Sequence, residues 1–179
     1  MKVVAGIALA PDFKLAMRQL ASGVSVITHG AGSQRTGVTA TSVTSLSSEP
    51  PTLIVAVNRA SSLYQQLGTG DLFGVNILGA QHVDIADRFA GRAGVDRADR
   101  FEEGRWSTTP DGVWLLDDAL AALVCEADEV IERNTHAIVI GQVRLARRQA
   151  YGGALLYWRG DYDRLGWTDE EMSRAVGLR

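Results

Sequence analysis

Short β-branched runs recur along this chain without the regular intervening helices that a parallel sheet requires, and this spacing constrains the fold more than any other feature. Residues 24–28, 52–57, 72–78, 119–132, 136–147 and 154–158 read as strands, and residues 37–48 as the return strand of a hairpin whose loop runs from Gly30 to Gly37. Helical spacing is confined to three places. Pro11-Asp12 opens a helix with Phe13, Met17 and Leu20 on one face, Ser61 or Ser62 caps a short helix reaching Leu67, and residues 80–90 carry a stripe of Val83, Ala86 and Ala90 with Ile85 and Phe89 beside it. Residues 91–112 read as a long irregular loop, and the Ala and Glu content of residues 119–132 also suits a helix. About six strands with few helices point to a mainly β, antiparallel barrel rather than a doubly wound sheet. A nucleotide bound here would not sit on a Rossmann turn.

The 179 residues suit one domain over residues 11–166, with residues 1–10 a flexible N-terminal segment and residues 167–179 a tail or short helix. A net charge of −3 argues against a general nucleic-acid binder. The one cysteine, Cys125, rules out an intrachain disulfide and a zinc-ribbon pattern, and a reduced thiol fits the cytoplasm. Residues 1–10 resemble a signal peptide only weakly, and no apolar run approaches a membrane span. The expectation is a cytoplasmic protein with neither membrane nor nucleic acid as partner.

Several familiar chemistries are unsupported. Gly30 to Gly37 is not a dinucleotide fingerprint, because Arg35 holds the third glycine position, and not a Walker loop, because Val38 follows Gly37 where lysine would stand. His29, His82 and His136 are far apart and lack metal-ligand spacing, Cys125 sits in an apolar run as a small buried hydrophobe, and no nucleophile elbow occurs.

Four places carry polar groups suited to a planar, phosphate-bearing ligand. Thr39, Ala40, Thr41 and Ser42 lie in a hydroxyl-rich stretch that lets a backbone approach a ligand closely, or that is simply a threonine-rich, half-exposed strand. Asn58, Arg59, Ser61 and Ser62 join a strand to a helix start, which suits a phosphate or plain capping by Ser61. His136 opens a strand, where it meets a ligand or bonds a turn. Arg159 and Tyr162 end another, as a phosphate fork and a stacking ring or as a surface arginine and a packing tyrosine.

In their order, these pieces resemble the short-chain flavin reductase family, the reductase components of two-component flavin monooxygenases. The resemblance covers roughly Asp12 to Gly166. It rests on Gly37-Val-Thr-Ala-Thr-Ser42, Ser47-Ser-Glu-Pro-Pro51, Asn58-Arg-Ala-Ser-Ser62, Phe73-Gly-Val-Asn-Ile-Leu78, Ala86-Asp-Arg-Phe89, His136 with Gly141, and Leu156-Tyr-Trp-Arg-Gly-Asp-Tyr162. The chain departs from the family pattern at Thr41, where some relatives carry Asn, and at Asn134-Thr135-His136, where Gly-Asp-His is common.

The resemblance implies an antiparallel Greek-key split barrel of about six strands with a few flanking helices, and a homodimer with flavin near the subunit interface. It implies that Thr39, Ala40, Thr41 and Ser42 line the flavin ring and ribityl chain, that Asn58, Arg59, Ser61 and Ser62 hold its phosphate, and that His136, Arg159 and Tyr162 serve the nicotinamide nucleotide. No metal and no catalytic side chain are required, since hydride passes directly from NADH to FAD or FMN, with a lean towards FAD. Reduced flavin would then serve a separate monooxygenase. The alternatives are a non-catalytic flavin-binding split barrel and a related reductase of another acceptor, such as a corrin or ferric complex.

Overall fold

The computed structural model describes residues 9–149, 152–167, 171, 173 and 174. Of the flanking segments expected from sequence, residues 1–8, 168–170, 172 and 175–179 lie outside the described residues. The chain runs α1 (Leu9–Met17), β1 (Ser22–Gly23), β2 (Ser25–His29), β3 (Thr36–Ala40), β4 (Thr44–Ser48), β5 (Pro51–Asn58), β6 (Leu72–Ile77), α2 (Val83–Phe89), β7 (Trp106–Thr108), β8 (Trp114–Leu116), β9 (Ala121–Arg133), β10 (His136–Arg148), β11 (Ala154–Trp158) and β12 (Asp161–Leu165).

The protein is mainly β and antiparallel, as expected. Seven strands form the main sheet in the order β3-β2-β6-β9-β10-β5-β4, beside a three-stranded sheet, β1-β11-β12, and a β7-β8 ribbon. The long β9–β10 hairpin, paired from His136↔Arg133 to Arg148↔Ala121, resolves residues 119–132 as strand. Alternating β-branched and apolar residues there win over the intrinsic helix preference of Ala and Glu.

Because side chains alternate across a strand, one strand can feed two cores. In β2, Val26 joins a cluster containing Leu78, Phe89, Phe101 and Leu115, while Ile27 joins one containing Val55, Val57, Leu63, Phe73 and Cys125. Both faces of the central strands are therefore buried, which explains the continuous burial of Ser25 to Thr28. The edges of the sheet also approach each other. Ser42, just beyond β3, hydrogen-bonds Ala56 of β5, and Thr36 Oγ1 lies 2.6 Å from Ser62 Oγ.

Sequence expectation and structure differ at five points. The hydroxyl-rich segment is two strands, because a bend at residues 41–43 carries the chain from one sheet edge, β3, to the other, β4. The short helix expected after Ser61 is a run of turns closed by Gln65 N–H to Ser61 O and Leu67 N–H to Leu63 O, too short to propagate as a regular helix. The buried stripe of α2 is Ile85, Ala86 and Phe89, with Ala90 exposed, since the helix ends at Phe89 and its stripe is set by the aromatic neighbours it meets. Residues 91–112 carry a 3₁₀ turn and β7, and their Phe101 and Trp106 close an aromatic cluster with Phe89 and Trp114. Finally, the apolar face of α1 meets no core: Phe13, Met17 and Leu20 are 61%, 46% and 58% exposed.

Gly37 shows why β3 can lie against α2. A Cβ there would stand 2.7 Å from the Phe89 ring and 2.9 Å from the Ile27 carbonyl oxygen, so only glycine admits the helix this closely.

Candidate functional site

The site is built around the end of β3. As an edge strand, β3 pairs with β2 alone among the strands, and of its carbonyls that of Gly37 accepts Arg100 Nη1 at 3.3 Å. Three hydroxyls follow one another here and have different fates. Thr39 Oγ1 donates to the Ala86 carbonyl at 2.6 Å and ties β3 to α2. Ser42 Oγ donates to Ala56 O at 2.9 Å and accepts from Ala56 N–H at 3.1 Å. Thr41 is exposed, and its hydroxyl has no partner among the described residues.

Two recesses meet at Thr41 and Ser42. The first, of about 260 Å³, extends from residues 38–42 to Ala56, Val57, Asn58, Ser61 and His136. The register His136↔Asn58 places these two side by side at the mouth of the β5–β10 pair. His136 is exposed, with Nδ1 2.9 Å from Thr135 Oγ1. Asn58 Oδ1 accepts the Ala60 amide at 2.9 Å, while Ser61 Oγ donates to Asn58 O and accepts the Tyr64 amide, acting as the cap expected from sequence.

Arg59 and Ser62 turn away from this recess. Arg59 pairs with Glu132 at 2.8 Å, donates to Asn134 O and lies over the Tyr64 ring. Ser62 is engaged with Thr36. Of the four expected phosphate groups, the structure gathers Asn58 and Ser61 into the recess and commits the other two to the fold.

The second recess, of about 530 Å³, runs from Thr41 and Ser42 to α1 and the β11–β12 turn. Phe13, Met17, Leu20 and Tyr157 give it apolar walls, and Lys14, Arg18 and Arg159 give it cations. Arg159 adopts φ 55°, stacks on Trp158 with its guanidinium carbon 4.3 Å from the ring centre, and donates through Nε to Gln19 Oε1 at 3.2 Å. Its backbone amide donates to Arg18 O and the Trp158 indole to Gln19 O, so the chain following α1 is fastened to this turn.

Tyr162 is not brought to either recess. It lines a separate hollow with Val83 and Leu155, and its ring meets Tyr157 at 5.5 Å. Burial, reinforced by Asp87, pushes its phenol up to about 12, against the opposing pull of Arg92. Arg92 lies over both tyrosine rings and donates to the Tyr157 hydroxyl at 3.0 Å. The aromatic ring at the second recess is thus Tyr157, which sequence reasoning passed over beside Arg159-Gly160-Asp161-Tyr162. Lys14 and Arg18 were also missed, although helical spacing puts both within a turn of Phe13 and Met17.

Two further groups belong to the fold. His82 is buried; the Gly79 amide donates to its Nδ1 at 3.1 Å and Nε2 stands 3.4 Å from Asp118 Oδ1. Burial lowers its pKa, opposed by Asp118. Burial pushes the Cys125 thiol up to about 12, as befits a core hydrophobe. Among the described residues no group of three or more His, Cys, Asp or Glu is placed to hold a metal ion, and no helix is long and apolar enough to cross a membrane.

The antiparallel β fold is shared with solved structures of flavin reductases. The chain belongs to the flavin reductase-like family, whose model, described as "Flavin reductase like domain", matches residues 17–166. It is 32% identical over 158 residues to the FMN reductase (NADH) RutF of Bradyrhizobium diazoefficiens, covering 88% of this chain and 87% of that protein. Its fold matches the Streptomyces globisporus C-1027 NADH:FAD oxidoreductase SgcE6, solved with NAD and FAD fragments, with a TM-score of 0.81 and 26% identity over 92% of this chain and 98% of the other. It also matches BorF, the flavin reductase component of a bacterial two-component tryptophan halogenase, with a TM-score of 0.79 and 28% identity over 88% and 99% of the two chains.

Proposed function

We propose that this protein is an NADH-dependent flavin reductase that takes FMN or FAD as an exchangeable partner and supplies reduced flavin to a separate flavin-dependent monooxygenase. The observation that carries this reading is the meeting of two recesses of different chemistry at Thr41 and Ser42: one lined by hydroxyl, amide and imidazole groups, the other apolar and cationic. Hydride transfer needs two planar rings face to face, and such a junction serves two ring-bearing ligands at once.

The residues present fit a flavin. The backbone edge of β3 and the free Thr41 hydroxyl face the ligand's hydrogen-bonding rim, and Asn58 with the capped turn at Ser61 receives its phosphate. Bound there, the flavin supplies the hydride acceptor. Residues 39–42 hold the ring plane and offer donors to charge that grows on its polar edge. His136 orients the nicotinamide nucleotide and moves no proton, and Arg159 offers its guanidinium to a phosphate of the same nucleotide. In this reading Ser42 and Thr39 act through the backbone they fix, while Arg59, Ser62 and Tyr162 act as supports of the turn and hairpin beside the ligands.

The FMN relative and the FAD-dependent structural neighbour bracket the flavin question, so both flavins are to be assayed. A flavin released after reduction suits the exposed mouth at Thr41 and His136, and BorF, a component of a two-component system, supports the transfer step by similarity. A homodimer completes the reading, supported by Leu46, 55% exposed on the edge strand β4.

The test is NADH consumption in air with FMN or FAD. Turnover that requires added flavin is expected; a protein that binds flavin yet never oxidises NADH or NADPH sinks the reductase reading in favour of flavin storage. His136→Ala is expected to raise the KM for NADH, and unchanged NADH affinity and turnover would remove His136 from this role.

A further inference from the structure

Among the described residues, no lysine or arginine lines the recess assigned to the flavin phosphate; its polar groups are the hydroxyls of residues 39, 41, 42 and 61, the Asn58 amide and the His136 imidazole. Yet a guanidinium belongs to the same turn. Arg59 follows Asn58 directly, and its own backbone amide donates to Thr135 O, beside His136. Its side chain is drawn the other way. Nη2 pairs with Glu132 Oε2 at 2.8 Å, Nη1 donates to Asn134 O at 3.1 Å, and the guanidinium carbon stands 5.8 Å from the centre of the Tyr64 ring. Glu132 is itself fixed for this pairing, because the Tyr64 hydroxyl donates to its other carboxylate oxygen. It reaches from β9 across β10, whose His136 pairs with Asn58 of β5. The second guanidinium of this hairpin tip, that of Arg133, donates to the Glu132 carbonyl at 2.7 Å. Both side chains of the Arg59–Glu132 pair remain open to water, at 41% and 54% exposure, so neither core depends on the pair.

We propose that Glu132 withholds Arg59 from the flavin phosphate and thereby sets how readily flavin exchanges. This rests on the reductase reading above and concerns the phosphate end of the same site. A phosphate in the recess meets hydroxyl and amide donors, whose hydrogen bonds are about half as strong as those of a charged donor. Arg59 sits beside Asn58 in the chain, and its long flexible stem lets the guanidinium turn either to the hairpin or to the recess. Glu132 and the phosphate therefore compete for one guanidinium, and the Tyr64 hydroxyl holds the carboxylate in the competing position. An exposed ion pair is worth little in water, so the competition is close, and ending it shifts affinity by a modest factor rather than by orders of magnitude. Apparent affinity scales with the fraction of protein whose groups are placed to meet the ligand, and Glu132 keeps that fraction low for Arg59. A flavin that must leave after reduction is served by this restrained grip.

The test compares wild type with Glu132→Gln, which removes the charge and keeps an acceptor for Tyr64, and with Glu132→Ala, which removes both. FMN and riboflavin, which differ by the phosphate, are titrated by flavin fluorescence quenching. Both variants are expected to tighten FMN about two- to fivefold, to slow its release by a similar factor and to leave riboflavin affinity unchanged. In an Arg59→Met background the same substitutions are expected to leave FMN affinity where it was. An FMN-to-riboflavin affinity ratio that matches wild type in both variants overturns the proposal, and so does a change that moves both flavins together, which would make Glu132 a support of the fold alone. A gain in FMN affinity that persists without Arg59 overturns it too, by showing that the carboxylate repels the phosphate directly. Should wild type bind neither flavin, the reductase reading falls and the proposal falls with it, whereas binding of both flavins with an unaltered ratio removes the proposal and leaves that reading standing.

Discussion

Thr39, Thr41 and Ser42 look equivalent in sequence, yet the structure gives each hydroxyl a different employment, and three single substitutions separate them. In Thr39→Val the shape is kept and the bond to the Ala86 carbonyl is lost. That carbonyl still accepts from the Ala90 amide at 2.9 Å, so nothing is orphaned and the cost is the net value of one hydrogen bond, about 0.5–1.5 kcal/mol. In Ser42→Ala the hydroxyl that both donates to and accepts from Ala56 disappears. β4 pairs with β5 only as far as Thr44↔Ile54, so Ala56 stands beyond it and Ser42 completes the ladder there. Because the site is exposed, water can replace both bonds, and the cost is again about 1 kcal/mol. A protein of this size loses about 2–4 °C of melting temperature per kcal/mol. Thr41→Val removes no intramolecular bond and leaves the melting temperature of the flavin-free protein unchanged. It instead deprives the flavin edge of one donor, weakening flavin binding about two- to tenfold. Thermal melts of the three flavin-free variants, paired with flavin affinity measured by fluorescence quenching, read both axes. The reasoning fails if Thr41→Val melts early with normal flavin affinity, or if Thr39→Val weakens flavin while leaving the fold as stable as before.

Three other changes test the framework around the site. Gly37→Ala forces a methyl to within 2.7 Å of the Phe89 ring and is expected to destabilise by about 1–3 kcal/mol, seen as a lower urea midpoint. His82 is held neutral by burial, so its folded pKa lies below the ordinary value of 6.5; the unfolded chain then binds the extra proton, and stability falls as pH drops below about 6.5. The drop in melting temperature between pH 8 and pH 5 should therefore shrink in His82→Gln. Cys125, 0% exposed with its thiol pushed up to about 12, should react with a thiol reagent at neutral pH only after urea unfolds the protein; rapid reaction of the native chain would place it outside the core.

The strands that face two cores were the legible part of this fold. Residues 24–28, 52–57 and 72–78 are apolar on both faces or strictly alternating, and they appear within two residues of the expected limits. What the pattern did not carry was what depends on distant partners. The break at residues 41–43 has no proline or glycine to announce it; it exists because Ser42 finds Ala56 across the curled sheet. Residues 91–112 read as irregular because their order comes from aromatic contacts with Phe89 and Trp114 rather than from any local period. The stripe of α2 shifted for the same reason, since Ile85 and Phe89 face that cluster while Ala90 lies beyond the helix end.

The candidate site divides along the same line. Backbone-led features were readable: the hydroxyl-rich strand edge and the Ser61 cap follow from residue type, whereas the pairing of His136 with Asn58 emerges only from the strand register. Side-chain commitments were not. Arg59 looks like a phosphate ligand until Glu132, on the far side of β10, claims it at 2.8 Å, and Tyr162 looks like a stacking ring until its place opposite Tyr157 sets it against Asp87 and Arg92 while Tyr157 lines the recess. The amphipathic face of α1 was misread most instructively. A stripe of Phe13, Met17 and Leu20 normally announces a core, but here both faces of the sheet are already filled by their own clusters, and no core surface is left for the helix to cover. An apolar stripe left outside two complete cores is thus legible as amphipathic in the sequence, while its lack of a packing partner within the described residues is not.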